Sequence, residues 1–174
     1  MRRFALFVAL VGACISPIPG SAQGPAVQLC VAGMQESGGT DSNLAGRDLL
    51  IKFLNKEKKD EGPAIENVPI NPSVPADALA SAKEKKCDYV VTTNQIDTHS
   101  TSSWSTGRTS PVNAPTFYAT TAYKLTKVSD GSELSSGSIK ASDGSSEQAA
   151  IGVTMKKIAD KVNEAIRKAG PIAK

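Results

Sequence analysis

The sequence predicts a single α/β domain: one mixed sheet, parallel in its amino-terminal part and closed by a carboxy-terminal antiparallel hairpin, packed by three helices. Three observations carry this. Apolar runs at 27–34 and 87–91 are nearly continuous, as strands covered on both faces require. Segments of helical character, long enough to serve as crossovers between parallel strands, lie between them. Behind them, a strand-like stretch at 117–128 meets the Asp130-Gly131 turn signal, and a long amphipathic helix follows.

The chain opens with Arg2 and Arg3 ahead of an apolar run of about a dozen residues. Pro17 and Pro19 then break it, and Gly20 and Ala22 supply small residues. This is the layout of an export signal over 1–22, and the run is short for a membrane span. Cleavage after Ala22 releases a soluble domain over 23–174, periplasmic or secreted. Alternatively, Val11-Gly12-Ala13-Cys14 resembles a lipobox, and lipidation at Cys14 then holds the protein to a membrane. The whole chain carries 20 basic and 17 acidic side chains, and two of the basic ones are Arg2 and Arg3. So near-balanced a charge gives no footprint for nucleic acid or an anionic membrane; membrane attachment is expected only through Cys14.

Two cysteines follow the signal, Cys30 and Cys87. An exported compartment permits a disulfide between them, and two buried thiols are the alternative.

The first strand, 27–34, runs into a loop in which Asp41 or Ser42 can cap the next helix. That helix, from Leu44 to about Lys58, sets Leu50, Ile51, Phe53 and Leu54 against a face of Arg47, Asp48, Lys52 and Lys56. Gly62-Pro63 ends it. A weaker strand at 65–70 contains Pro69, which cannot donate a ladder hydrogen bond and so belongs at an edge. The Ala/Lys/Glu segment 76–86 is a helix with small apolar residues, suited to close packing on a sheet. With right-handed crossovers the expected strand order is second, first, third, which sets Cys30 and Cys87 on neighbouring strands.

After the third strand comes a Ser/Thr-rich stretch, read as a polar loop over 98–115, longer than most connections in a compact domain. Residues 117–128 then put Phe117, Ala119, Tyr123 and Leu125 on one face, and 133–142, rich in Ser and Gly, return at the other edge. In the last helix Ile151, Met155, Ile158, Val162 and Ile166 form a narrow apolar stripe, stopped by Gly170-Pro171.

No catalytic constellation stands out. His99 is the one histidine, too few ligands for a zinc site with Cys87, and nothing sets it beside a nucleophile. Ser37-Gly38-Gly39-Thr40 lacks the lysine of a phosphate loop and reads as a turn. Trp104, with Arg108 four residues on, has no apolar neighbours in its own segment. Either it folds back over the domain or, with Arg108 and Tyr118, it anchors a partner, since Trp, Tyr and Arg are the residue types enriched at such anchors. No cofactor and no metal is expected. A carbohydrate or cell-wall binder using Trp104 and Tyr118, and an exported hydrolase using His99 with a serine, are the rival functional classes.

Three blocks resemble a known group. The opening strand with its Gln35-Glu36-Ser37 turn, the helix entering Cys87-Asp88-Tyr89-Val90-Val91-Thr92, and the hairpin around Asp130-Gly131 are similar to the envelope α/β modules. That group includes the TolB amino-terminal domain, the LpoB penicillin-binding-protein activator and the CsgG curli lipoprotein. The resemblance implies a periplasmic, non-catalytic adaptor or accessory module that binds other envelope proteins. It implies no cofactor and carries over no active-site residue.

Overall fold

The structure, a computed structural model, describes residues 26–37, 42–56, 63–105 and 112–169. The predicted signal segment with Cys14, the predicted helix cap at Asp41, and Arg108 lie outside the described residues. The elements in order are β1 (Val27–Gln35), β2 (Ser42–Asn43), α1 (Leu44–Lys56), β3 (Ile65–Pro69), α2 (Pro75–Glu84), β4 (Tyr89–Ser105), β5 (Val112–Lys127), β6 (Glu133–Asp143) and α3 (Glu147–Ala169).

They form one mixed sheet in the order β2-β1-β4-β5-β6, with β3 also against β1. β1 pairs in parallel with β3 on one side and β4 on the other, so the predicted order of the three parallel strands is the observed one. Leu29, Cys30 and Val31 stand opposite Tyr89, Val90 and Val91, and all six are buried. β4, β5 and β6 are antiparallel, and the turn between the last two is built on Asp130, which accepts from the Ser132 amide at 2.8 Å. Gly131 takes φ 73° there, a conformation a side chain would resist.

Alternation along β1 and β4 divides the core in two. Leu29, Val31, Tyr89, Val91, Tyr123 and Leu125 face α1 and α3. Cys30, Ala32 and Val90 face the other way, against Ala78 and Ala82 of α2 and Val128. The predicted stripe of α3 is the part that enters the core: Met155, Ile158, Val162 and Ile166 are fully buried, and Ile151 partly. At about 2 kcal/mol gross for each buried aliphatic side chain, this helix supplies a large part of what holds the domain together. Cys30 and Cys87 form a disulfide, with Cα atoms 5.8 Å apart.

Local signals settle the helix ends. Asn43 caps α1 by accepting from the Gly46 amide at 2.9 Å, one residue beyond the Ser42 the sequence suggested. The Ser146 hydroxyl accepts from the Ala149 amide at 3.1 Å and caps α3. At the end of α2 the amides of Lys86 and Cys87 donate to the carbonyls of Lys83 and Ala82, a Schellman arrangement with Lys86 in the left-handed region at φ 56°.

One expectation is corrected. Of the stretch 98–115 read as a polar loop, residues 98–105 and 112–115 are strand: β4 continues to Ser105 and β5 begins at Val112. Ser and Thr give no period-two apolar signal, so the sequence carries no mark of a strand there. Paired backbone makes the strands there, and threonine, being β-branched, favours them.

Candidate recognition surface

β4 and β5 outrun their neighbours. On the β1 side the last pair is Gln35 with Asn94, and on the β6 side it is Phe117 with Asp143. Beyond Ser100 opposite Phe117, five further pairs run to Ser105 opposite Val112. These pairs form a two-stranded ribbon extending roughly 17 Å past the body of the sheet. Pro115 is tolerated on it because β5 has a partner on one side only there. A two-stranded ribbon has little stability of its own, so it draws its order from the sheet at its root.

At that root the face of the sheet that α2 leaves open carries a polar cluster across three strands. His99 Nδ1 lies 2.7 Å from Asp97 Oδ2 on β4. Its ring stacks on Tyr118 of β5, with centroids 5.0 Å apart and planes inclined by 13°. Lys140 of β6 places Nζ 5.4 Å from the centre of the same tyrosine ring, a cation–π contact. Residues 97, 99, 118 and 140 share this face because β4 and β5 pair His99 with Tyr118, and β5 and β6 pair Thr120 with Lys140. Asp97 and His99 remain about half exposed. The cluster thus offers a carboxylate, an imidazole, a phenol edge and an ammonium to a partner, on a rigid three-stranded base.

Of the residues singled out from sequence, Tyr118 belongs to this cluster. Trp104 lies on the ribbon, its backbone opposite Asn113 and five pairs beyond His99 and Tyr118. Arg108 lies outside the described residues. Sequence reasoning missed Asp97 and Lys140. Asp97 stands two residues before the lone histidine, a spacing that signals one face once the stretch is read as a strand. Lys140 depends on register, which the sequence does not print.

Among the described residues no serine hydroxyl is hydrogen-bonded to His99, whose partner is Asp97. Among the described residues, too, no group of three or more His, Cys, Asp or Glu side chains is placed to hold a metal ion, and no helix is long and apolar enough to cross a membrane.

Solved structures are similar to this chain, and the first of those that follow shares its fold. The PelC dodecamer from Paraburkholderia phytofirmans is 15% identical over 76% of this chain and 84% of that one, with a TM-score of 0.51. Lipoprotein GNA1162 from Neisseria meningitidis is 12% identical over 79% of this chain and 99% of that one, with a TM-score of 0.41. TolB from Acinetobacter baumannii is 13% identical over 82% of this chain and 29% of that one, with a TM-score of 0.44. TolB, named in the resemblance read from sequence, is thus one of the solved structures matched. No family model matches the chain. No curated protein matches it.

Proposed function

We propose that this is an exported accessory protein of the cell envelope that acts by protein–protein contact, with the β4–β5 ribbon and its Asp97–His99–Tyr118–Lys140 root as the recognition surface. The observation that carries the reading is the ribbon: five strand pairs extend past both neighbouring strands, beyond the pairs that knit the sheet. The export layout of residues 1–22 supports the envelope setting. Trp104 and Arg108 are then the anchors and Tyr118 the seat of the arm. The partner is an envelope protein, and no cofactor takes part.

Site-specific photocrosslinking tests it. A crosslinking side chain at Ser100 or Thr101 should capture discrete partners in envelope fractions, one at Lys156 on the exposed side of α3 should not, and Trp104→Ala with Arg108→Ala should abolish the capture. Equal capture from both positions, or capture indifferent to the double substitution, contradicts the ribbon as the contact.

A further inference from the structure

The sheet ends on one side in a strand that has no outer neighbour among the described residues. β6 is eleven residues long, contains no proline and pairs only with β5. The opposite edge is blunt: β3 has five residues and finishes at Pro69, and β2 has two. Long edges with a free row of N–H and C=O groups are templates for one kind of ligand, another extended backbone.

A groove of about 620 Å³ lies beside the first half of β6, where the carboxy-terminal half of α3 passes over it. This is the flank of α3 turned away from α1, since Leu49 of α1 approaches the helix at Gly152, a different side. Tyr123, Leu134 and Ala165 give the groove its apolar lining, and Lys161, Glu164 and Lys168 stand at its rim. Leu134 is the extra residue of a β-bulge, because Leu125 pairs with Ser135 while Thr126 pairs with Glu133. It is one of the few large apolar side chains left exposed, at 37%. Bulges re-aim side chains, and this one leaves a leucine at the mouth of a groove that a neighbouring strand would cover.

We infer that β6 accepts an extended peptide segment of a partner protein as an added strand. Backbone hydrogen bonds to β6 supply the affinity, and an apolar side chain of the segment seats in the groove beside Leu134 and Ala165. At the rim Glu164 is paired with Lys161 at 3.6 Å and with Lys168 at 2.7 Å, so the trio carries one net positive charge, which favours a segment with an acidic residue there. This contact is separate from the ribbon and stands whether or not the ribbon is the recognition surface.

The test uses the full exported chain, labelled for amide NMR, and a capped probe peptide of about eight residues alternating valine and threonine with one central glutamate. Saturable shifts and slowed amide exchange should concentrate on residues 134–140. Leu134→Asp should weaken binding by about tenfold or more with an unchanged melt, as loss of one buried leucine contact implies. Ala165→Trp, which fills the groove, should do the same, and Leu134→Asp decides the matter if that variant fails to fold. Absence of saturable binding, or shifts confined to 95–99 on the free side of β4, overturns the inference. So does a dimer in sedimentation that Leu134→Asp dissociates, since the occupant would then be a second copy of this chain.

Discussion

The carboxylate of Asp88 accepts the backbone amide of Gln28 at 2.8 Å across sixty residues of chain. The same two residues are joined again through the main chain, Asp88 N–H to Gln28 C=O at 2.9 Å, and the Asp88 carbonyl accepts from Val128 at 3.0 Å. One residue thus fixes the start of β4 against β1 and against the end of β5. The acidic residue that opens this strand is explained by geometry: it satisfies an amide at the root of the parallel pair.

Asp88→Ala leaves the part-buried Gln28 amide without its partner and should cost about 1–3 kcal/mol. Asp88→Asn keeps an acceptor oxygen and should recover most of it. Chemical denaturation with an unchanged slope checks both. Equal stability of the alanine variant and the parent would show that the clamp does nothing.

The disulfide ties the same pair of strands, with Cys30 and Cys87 separated by 57 residues. Constraining a loop of that size in the unfolded chain is worth about 4 kcal/mol by loop-closure entropy. Reduction, or Cys30→Ala with Cys87→Ala, should lower the thermal midpoint by on the order of 10 °C for a domain of this size. A midpoint indifferent to reductant would remove the bridge from the account of stability.

Lys86 holds φ 56° at the end of α2, where glycine is the usual residue. Lys86→Gly should stabilise the domain by about 1 kcal/mol, because the left-handed conformation costs a side chain roughly that much. Differential melting of the two forms measures it. A destabilised glycine variant would mean that the lysine side chain is itself held by contacts worth more than the strain.

Four exposed carboxyl groups are held below the usual carboxylate range. The Ser132 hydroxyl and amide do so for Asp130, Ser136 and then Lys124 for Glu133, the Ser145 hydroxyl and amide for Asp143, and Lys168 for Glu164. A group whose folded pKa is depressed stabilises the fold above its unfolded pKa and loses that contribution as pH falls through the folded value. The expected acid limb therefore lies below about pH 4. At the alkaline end Tyr89 has the opposite shift: burial and then the Asp88 charge raise it. Its contribution is complete below its ordinary pKa of about 10 and is lost as pH rises through the folded value. Melting from pH 3 to 11 should fall off at both ends, and a midpoint still rising below pH 4 contradicts the carboxylate assignments.

Where burial marks the sequence, the fold was legible in it. The runs at Leu29–Val31 and Tyr89–Val91, covered on both faces, announced themselves as continuous apolar stretches, and Pro69 put its strand at an edge. The stripe of α3 was plain for the same reason. The ribbon was not legible, because its Ser/Thr-rich sequence has no hydrophobic period. Nor was the cluster around Tyr118, since His99, Lys140 and Asp97 meet only through the register of three strands. Asn43 as a helix cap escaped notice because Ser42 beside it is as good a residue for the position.

On the proposed function, the ribbon makes the contact and the body of the sheet does the folding. Replacing residues 101–116 by Asn-Gly joins Ser100 to Phe117, which already face each other, through a two-residue hairpin turn. The protein so shortened should melt as cooperatively as the parent and run as a free species when envelope complexes are separated on native gels. A shortened protein that still migrates with its partners contradicts that division of roles.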